Sequence, residues 1–287
     1  MSLSYKKIGI IGLGFVGGAI LKSFQVKNID VVGYDKYKND GIGNFSDILS
    51  CDIVFLCLPT LFNDETLSYD KTAIYEICEE LEKSNYKGLV VLKSTVEPET
   101  TNKLSEKYIS LNICHNPEFL TARTAFEDFH NQTHIVIGYV PTSGYGPNCV
   151  NAPNCVNVPN CVNVDKLSQF YSEYYPTADI SVCSAIESES MKIFCNSFYA
   201  SKIMLFNEYY LICKNNGSDF NKIKNIMLKN KWINPMHTDV PGHDGQLGYG
   251  GACFSKDTKA LLSYLKEKNS PCKVLENVIK ECSNIRE

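Results

Sequence analysis

A cysteine with a lysine and an aspartate close behind it is the strongest chemical feature of this sequence. Cys253 directly follows the glycine-rich segment Gly248-Tyr249-Gly250-Gly251-Ala252, and Lys256 and Asp257 lie within the next four residues. Glycines let the backbone approach a ligand closely, and the start of a following helix would hold the thiol in a positive field that favours thiolate. Asp257 would share the helix face of Cys253. The spacing therefore predicts covalent catalysis, with a buried structural cysteine as the ordinary alternative.

A second chemical feature lies near the N-terminus. The apolar run 6–11 is followed by Gly12-Leu13-Gly14-Phe15-Val16-Gly17, an amphipathic helix, and a second apolar run, 29–34, that ends at Asp35. This order matches the dinucleotide fingerprint, in which the glycines form a tight turn, admit the pyrophosphate and allow close helix packing. Asp35 would bind the ribose hydroxyls and repel a 2′-phosphate. The pattern therefore predicts NAD as the cofactor, with an ordinary glycine-rich turn as the alternative.

The bulk composition excludes several classes of function. The chain has 287 residues, enough for one large or two smaller cores, with 28 basic against 32 acidic residues. No basic stripe indicates nucleic acid, and no apolar run reaches membrane-spanning length. Thirteen cysteines, an odd number, without a signal peptide indicate reduced thiols and a cytoplasmic location.

The first half of the chain alternates between strand-like and helical runs. Further strands are predicted at 52–58, 88–92, 112–114 and 134–139, and helices at 71–81 and 97–108. This rhythm predicts a Rossmann-type α/β fold with a doubly wound parallel sheet, whose ligands bind beyond the carboxyl ends of its strands. Pro59 and Thr60, Ser94 and Thr95, and Glu118 follow such strand ends.

The second half of the chain is predicted to be all-helical. Helices are expected at 184–214, 219–229, 255–267 and 271–287, because apolar residues there recur at helical spacing. A boundary near Val182 gives an NAD-binding domain of residues 1–182 and a helical domain of residues 183–287.

A six-residue repeat interrupts the end of the first domain. The pattern Pro-Asn-Cys-Val-Asn occurs three times, beginning at residues 147, 153 and 159. Its cysteines (Cys149, Cys155 and Cys161) fit no usual zinc spacing, and three short copies cannot build a core of their own. We predict a repeat-expanded surface loop over residues 141–164 and no metal site.

With both ends analysed, the chain resembles the UDP-glucose/GDP-mannose dehydrogenase family of nucleotide-sugar 6-dehydrogenases. The resemblance spans nearly the whole chain and rests on motifs in the family's order: the glycine fingerprint, Ser94-Thr95-Val96, Asn116-Pro117-Glu118-Phe119-Leu120, Glu189 with Lys192-Ile193-Phe194-Cys195-Asn196, Asn207-Glu208, and the block from Gly248 to Asp257. The resemblance implies a double oxidation of a primary alcohol by two NAD, which gives a carboxylate. It also implies a homodimer formed through the helical domain.

The resemblance assigns a role to each motif. Cys253 would add to the C6 aldehyde as a thiohemiacetal and then carry a thioester. Lys192 and Asn196 would stabilise the oxyanion, while Asp257 would hold a water or Lys192, and Glu118 would assist proton transfer. Thr95 would lie between nicotinamide and substrate. The cofactor would contact Gly12, Gly14, Phe15, Val16, Gly17, Asp35, Pro59, Thr60, Ser94 and Thr95. The nucleotide sugar would contact Glu118, Phe119, Leu120, Lys192, Asn196, Gly248, Tyr249, Gly250 and Gly251.

The chain departs from the family pattern at three places. Ala122 stands where the family has a glutamate, and His237 stands where it has a substrate-binding arginine. The sequence ends at Glu287, where the family continues into a UDP-binding domain, so we expect that domain to be absent. Three alternatives stay open: a degenerate NAD-binding relative without activity, a β-hydroxyacid dehydrogenase-like enzyme that needs no cysteine, and a non-enzymatic NAD-binding or dimerisation module.

Overall fold

The computed structural model describes residues 7–141 and 159–286, which form two compact units. The first unit holds the described residues up to Leu61 together with Asp70–Lys192. The second unit holds Phe62–Tyr69 and the described residues from Ile193 onward.

The strands in chain order are β1 (Ile8–Ile11), β2 (Val31–Tyr34), β3 (Ile53–Leu56), β4 (Phe62–Asn63), β5 (Ser68–Tyr69), β6 (Leu89–Leu92), β7 (Asn112–His115), β8 (His134–Tyr139) and β9 (Asp179–Ser184). The α-helices are α1 (Phe15–Val26), α2 (Phe45–Ile48), α3 (Thr72–Lys83), α4 (Thr100–Lys107), α5 (Ala125–His130), α6 (Pro159–Tyr174), α7 (Ala185–Asn216), α8 (Phe220–Leu228), α9 (Gly251–Glu267) and α10 (Lys273–Ile285).

The first unit is built on a twisted sheet with the strand order β2-β1-β3-β6-β7-β8-β9. The central strands β1, β3 and β6 are buried along their whole length, because helices cover both faces of a parallel sheet. One apolar cluster packs α1, α5 and α6 against one face, and a second packs α3 and α4 against the other. The predicted Rossmann-type α/β class, a sheet followed by a helical region, is confirmed.

Two features of the sheet differ from the prediction. Strand β8 runs antiparallel to β7, so the sheet is mixed rather than purely parallel. Strand β9 was not expected, and it pairs in parallel with β8 over six residue pairs. Its sequence, Asp-Ile-Ser-Val-Cys-Ser, mixes polar with apolar residues and is only partly buried, because the strand lies at the edge of the sheet, so it lacks the continuous apolar run of the central strands.

The predicted helices are present, although α4 begins at Thr100 rather than at residue 97 and α9 begins earlier than predicted, and α2, α5 and α6 were not predicted. Helix α9 begins at Gly251 rather than at residue 255, because Gly250 is extended and Gly251 takes a positive φ of 81°, so the chain turns into the helix early. Helix α6 begins at Pro159, a residue suited to a first helical turn. The loop predicted for residues 141–164 is therefore wrong from Pro159 onward. The first two repeats, with Cys149 and Cys155, and the side chain of Cys161 lie outside the described residues.

The second unit combines helices with a small hairpin. The antiparallel pair β4–β5 packs with α9, and α9 packs with α10. The two units divide at Lys192, inside α7, ten residues after the boundary near Val182. The assignment of domains to residues 1–182 and 183–287 stays a prediction. Among the described residues, no helix combines the length and apolarity needed to cross a membrane.

Candidate active site

The glycine turn after β1 has the geometry that the fingerprint predicts. Gly12 takes a φ of +86°, and a Cβ built on it would lie 2.4 Å from the Cys57 carbonyl oxygen. A Cβ on Gly17 would lie 1.8 Å from the Gly12 carbonyl oxygen. A Cβ on Gly14, by contrast, would meet nothing within 4 Å, so open space lies beside the N-terminus of α1. The turn is therefore tightly packed where the fold needs it and open where a phosphate would bind.

Asp35 fixes the other half of the predicted cofactor site. Its Oδ2 accepts the Leu13 N–H at 2.7 Å, and its Oδ1 accepts the N–H groups of Tyr37 and Lys38 at 3.1 and 3.0 Å. Burial alone would raise the pKa of Asp35, but these backbone donors lower it below its ordinary value. The carboxylate stays charged at neutral pH and lies against the glycine turn, as a partner for ribose hydroxyls would.

The loops after β3 and β6 are tied to each other by hydroxyl groups. The Thr60 hydroxyl donates to the Thr95 carbonyl oxygen at 2.8 Å. Ser94 accepts the Leu58 N–H at 2.9 Å and donates to the Leu58 carbonyl oxygen at 2.7 Å. Thr60, Ser94 and Thr95 are buried, whereas Pro59 is exposed. The hydroxyl of Ser94 thus holds the loop after β3 in place. The predicted contact of Ser94 with the cofactor stays a prediction.

Two further residues of the turn have opposite environments. Phe15, at the first position of α1, is 75% exposed, so its ring is available to a ligand. Val16 packs partly against the apolar cluster under the sheet. The predicted cofactor contacts of both residues stay predictions.

Glu118 forms a buried ion pair in the first unit. Its Oε1 lies 3.1 Å from the Lys192 Nζ, and both side chains are about nine-tenths buried. Its Oε2 accepts the N–H of Leu120 at 2.6 Å. The Lys192 ammonium also lies over the half-exposed ring of Phe119, 5.4 Å from its centroid. The structure thus brings together four residues that the sequence predicted to contact substrate, and it holds the acid and the base as a pair.

A buried lysine that sequence reasoning missed holds the segment before Glu118. Lys93 is 2% exposed, and its Nζ donates to the Asn116 Oδ1 and the Pro117 carbonyl oxygen, both at 2.9 Å. Burial lowers the pKa of Lys93 to about 8. Asn116 is held in turn by Tyr171, which donates to the same Oδ1 at 2.6 Å. A lysine at the end of an apolar strand was the available signal, because burial of its charge requires oxygen partners.

The predicted nucleophile lies in the first turn of α9. Cys253 is exposed and is not part of a disulfide. No acidic residue lies in the first turn of this 17-residue helix, and the partial positive charge of a helix N-terminus favours the thiolate form of a cysteine placed there. The predicted placement of Cys253 at a helix start is therefore confirmed, although the helix begins earlier than expected.

Asp257, one turn after Cys253, is completely buried in a network of donors. Its Oδ2 accepts the Asn196 Nδ2 at 2.5 Å. Its Oδ1 accepts the Lys256 Nζ at 2.6 Å and the Tyr69 hydroxyl. Asn196 and Asp257 were both predicted as site residues, and the second unit joins them directly. Tyr69 was missed, because it is far away in sequence, and Lys256 was noted beside Cys253 but given no role.

The glycine segment before α9 is held by side chains. The N–H of Gly248, where φ is +70°, donates to the Asn207 Oδ1 at 2.9 Å. The Arg286 guanidinium donates to the Leu247 carbonyl oxygen at 3.1 Å and fills the space beside Gly250. Arg286 also forms an ion pair with Asp244.

Tyr249 lies within this segment but points into the core. Its side chain is 5% exposed among Ala200, Met204 and Cys282, and burial raises its pKa to about 12. A substrate contact by Tyr249 is thus limited to its backbone.

Ala122 and His237, the two positions at which the residue departs from the family pattern, have different environments. The His237 ring packs against Tyr199 and Phe254, with centroids 5.0 and 5.4 Å away. Burial and the nearby Lys202 lower the pKa of His237, so its ring is neutral at neutral pH and offers no charge to an anion. Ala122 is exposed in the loop before α5.

Comparison with protein families places both parts of the chain in one family. Residues 42–145 match the NAD binding domain of the UDP-glucose/GDP-mannose dehydrogenase family, and residues 186–283 match its central domain. The chain belongs to the UDP-glucose/GDP-mannose dehydrogenase family. The family contains NAD-dependent dehydrogenases of nucleotide sugars, and this member carries the family's NAD-binding domain.

Individual relatives of the family extend beyond this chain. The chain is 27% identical to the UDP-glucose 6-dehydrogenase AglM of Haloferax volcanii over 95% of its own length and 68% of that protein. It is 30% identical to the UDP-glucose 6-dehydrogenase of Rickettsia bellii over 82% of its own length and 50% of that protein. The chain thus spans between about half and two thirds of the length of the relatives it matches.

Solved structures share the fold. A UDP-glucose dehydrogenase from the archaeon Pyrobaculum islandicum aligns over 99% of this chain and 69% of its own, with a TM-score of 0.83 and 22% identity. A 3-hydroxyisobutyrate dehydrogenase of Mycobacterium tuberculosis aligns over 98% of this chain and 94% of its own, with a TM-score of 0.74 and 13% identity. At these identities the likeness concerns the fold alone.

Proposed function

We propose that the chain is an NAD-dependent nucleotide-sugar 6-dehydrogenase that oxidises the C6 alcohol of UDP-glucose, or of a related nucleotide sugar, to a carboxylate. The observation that carries the proposal is the exposed thiol of Cys253 in the first turn of α9, one turn before the buried and fully hydrogen-bonded Asp257. An alcohol dehydrogenase that stops at the aldehyde needs no nucleophile at such a position. An enzyme that continues to the acid can use one there, because a thiohemiacetal loses hydride to give a thioester that water hydrolyses.

The chemistry balances over two hydride transfers and one hydrolysis. The alcohol loses a hydride and a proton and becomes an aldehyde. The Cys253 sulfur then adds to the aldehyde carbon, and the oxygen takes a proton, which gives a thiohemiacetal. Loss of a second hydride and a second proton gives a thioester. Water attacks this thioester, the C–S bond breaks, and the products are the carboxylate and the free thiol.

The polar residues have roles that match their partners. Asn196 donates to Asp257 with one N–H of its amide, and the other N–H stabilises the oxyanion at C6. Lys192 adds a positive charge to the oxyanion, and its pair with Glu118 supports proton transfer during thioester hydrolysis. Thr95 contacts the nicotinamide and the substrate.

The residues of the first unit fit NAD. The open space beside Gly14 and the charged carboxylate of Asp35 suit a pyrophosphate and a free ribose 2′-hydroxyl. Bound NAD supplies the acceptor for each hydride. Glu118, Phe119 and Leu120 and the segment from Gly248 to Gly251 contact the sugar nucleotide, Tyr249 through its backbone.

The first experiment measures NADH produced from NAD and UDP-glucose by the wild type and by Cys253→Ala. We expect two NADH per sugar in the wild type and no acid product in the variant. Cys272→Ala, which removes a half-buried thiol of the same unit outside the predicted site, serves as the control and should keep both NADH. NAD binding without turnover of any nucleotide sugar would contradict the proposal and favour a degenerate NAD-binding relative.

A β-hydroxyacid dehydrogenase-like activity is the second candidate. The sequence leaves this alternative open, and the fold is compatible with it, since the chain aligns over 94% of the 3-hydroxyisobutyrate dehydrogenase with a TM-score of 0.74. Such an enzyme needs no thiol. Full turnover of a small hydroxyacid by Cys253→Ala would therefore decide for this candidate and against the nucleotide-sugar dehydrogenase.

We further propose a homodimer formed through the helical unit. In the part of α7 that belongs to the second unit, five large apolar side chains are exposed at intervals that keep them on one side of the helix: Phe194, Phe198, Leu205, Tyr209 and Ile212. Light scattering at micromolar concentration should give twice the chain mass. Phe198→Glu with Leu205→Glu should give a monomer, whereas Ile109→Glu, at an exposed apolar residue of the first unit, should not. A monomeric wild type would contradict the proposal.

A further inference from the structure

The buried carboxylate of Asp257 depends on a tyrosine that lies almost two hundred residues earlier in the chain. Asp257 is completely buried, and the Tyr69 hydroxyl donates to its Oδ1 from a site that is itself 2% exposed. Lys256 donates to the same oxygen, and its ammonium lies over the Tyr69 ring, 4.4 Å from the centroid. We propose that Tyr69 is a positioning residue of the proposed dehydrogenase, which orients Asp257 and through it the amide of Asn196.

The energetic argument starts from the burial of the charge. A carboxylate without water is costly unless several donors replace its hydration, and the donors also set its orientation. Asp257 has three donors, of which Lys256 and Tyr69 share Oδ1 and leave Oδ2 for Asn196. Loss of the Tyr69 hydroxyl removes one of the two donors to Oδ1, so the plane of the carboxylate is held less firmly.

The hairpin that carries Tyr69 is built to hold this contact. Phe62 in β4 pairs with Tyr69 in β5. Lys259, two residues after Asp257 on α9, forms an ion pair with Asp64 at 2.7 Å. Its ammonium lies 5.7 Å from the centroid of the Phe62 ring. Contacts with Lys256, Asp257 and Lys259 therefore join the hairpin to one side of α9.

The consequence for the reaction concerns Asn196. The Asp257 Oδ2 accepts one N–H of the Asn196 amide, which fixes the amide nitrogen rather than the oxygen toward the carboxylate. The second N–H of the Asn196 amide then has a fixed direction, toward the proposed position of the oxyanion. Because the oxyanion forms only during the reaction, a misplaced donor lowers kcat more than it changes KM. The inference rests on the proposed function, because it assigns a part to Tyr69 in that same reaction.

The experiment compares Tyr69→Phe with the wild type for NADH production from UDP-glucose and NAD. The variant keeps the ring beneath Lys256 and removes only the hydroxyl. We expect kcat to fall about tenfold, KM for UDP-glucose to stay within about twofold, and the NAD-induced rise in melting temperature to be unchanged. Tyr86→Phe is the matched control. The Tyr86 side chain is also buried, and its hydroxyl donates to the Cys51 carbonyl oxygen at 3.0 Å in the first unit. Loss of this hydroxyl should leave kcat unchanged.

A second measurement tests the contact between Tyr69 and Asp257 without enzyme activity, in case the Tyr69→Phe variant folds poorly. The melting temperatures of Tyr69→Phe, Asp257→Asn and the double variant form a cycle. If the hydroxyl acts through Asp257, Tyr69→Phe lowers the melting temperature of the wild type and lowers it much less in the Asp257→Asn background. Equal lowering in both backgrounds would overturn the inference.

The outcomes separate the inference from the function on which it rests. An active wild type with unchanged kcat in Tyr69→Phe contradicts the positioning role alone. An active wild type with raised KM and unchanged kcat does so as well. A wild type that turns over no nucleotide sugar contradicts the proposed function, and the positioning role falls with it even if the cycle shows the contact.

Discussion

The two glycine-rich turns of this chain precede two helices and look alike in sequence, yet they are held in different ways. The turn before α1 is packed against backbone, since Cβ atoms on Gly12 and Gly17 would meet carbonyl oxygens at 2.4 and 1.8 Å. The turn before α9 is held by side chains, since a Cβ on Gly250 would meet the Arg286 guanidinium at 2.1 Å and one on Gly251 would meet nothing within 4 Å. Backbone cannot move aside, whereas a long side chain can.

The difference fits the ligand that each turn is proposed to serve. A pyrophosphate is common to every NAD molecule, so a rigid turn packed into a parallel sheet suits it. The turn before α9 is proposed to contact the variable part of a substrate, and it lies next to Cys253. Side chains such as Asn207 and Arg286 then decide its shape, and substitutions there can change it without loss of the fold.

The largest expected effect is that of Gly17→Ala. Its Cβ would overlap the Gly12 carbonyl oxygen, so either the turn or α1 must move. We expect the melting temperature to fall by ~10 °C or more and NAD to give no further thermal stabilisation. Thermal unfolding with and without NAD measures both. Gly18→Ala is the control, because its Cβ would have ordinary contact at 3.6 Å with the Leu13 carbonyl oxygen, and it should melt like the wild type. Equal effects of the two variants would contradict the comparison.

The units that carry the two turns should also differ in their response to pH. In the first unit, burial raises the pKa of Glu189 from 4.5 to about 7, although Thr101 donates to it. The folded state therefore binds a proton that the unfolded state releases. Its contribution is fully present below pH 4.5, and it is lost as the pH rises through 7. The loss is on the order of 3 kcal/mol.

Glu189→Gln tests this origin of the pH dependence. Burial lowers the pKa values of His115 and Lys93 to about 3 and about 8, so these two groups make the free energy of unfolding rise with pH in both proteins. The test is therefore the difference: urea unfolding at pH 5.5 and 8.5 should show that the wild type loses free energy of unfolding relative to the variant as the pH rises. Among the described residues of the second unit, the carboxyl groups with shifted pKa values, Asp244 and Glu276, are shifted downward. Amide hydrogen exchange should therefore place this difference between wild type and variant in the first unit. The same slope in wild type and variant would show that another group is responsible.

A smaller effect is expected where a side chain holds the second turn. Asn207→Leu leaves the buried N–H of Gly248 without its acceptor, which should cost about 1–3 kcal/mol in the free energy of unfolding. Asn277→Leu is the control, because Asn277 makes only an exposed bond to the Lys273 carbonyl oxygen, and it should change stability by less than about 0.5 kcal/mol. Urea unfolding that gives the same value for both would mean that Asn207 does not hold the turn.

The smallest effect is expected for Gly250→Ala. The new methyl group displaces the Arg286 guanidinium, which can turn into solvent at the loss of an ion pair with Asp244. We expect a fall in melting temperature of only ~1–3 °C, equal to that of Arg286→Ala, with no further fall in the double variant. An effect as large as that of Gly17→Ala would remove the distinction between the two turns.

Much of the fold could be predicted from the sequence, because its signals are local. Continuous apolar runs predict β1, β3 and β6, and residues that recur at helical spacing predict α3 and α7. Strand β9 escaped prediction because an edge strand buries only part of its surface and so needs no continuous apolar run. The early start of α9 escaped because two glycines, which usually end helices, here supply the turn into one.

Site residues could be predicted from the sequence where the residues that act together lie close to each other in the chain. Cys253 and Asp257 lie one turn apart, and the glycine fingerprint with Asp35 spans a single βαβ unit. Their identities and their places on helix starts and strand ends follow from type and spacing. The pairs Glu118–Lys192 and Asn196–Asp257 join residues more than sixty positions apart, and only the packing of α7 with other segments creates them.

By itself, therefore, the sequence determined the class of fold, the cofactor turn, and the candidate nucleophile, because hydrophobic periodicity and glycine conformations act over a few residues. Only the tertiary structure decided which donors satisfy each buried charge. Tyr69 and Lys93 look ordinary in sequence, and they acquire their roles because a buried carboxylate or ammonium must find partners wherever the fold brings them.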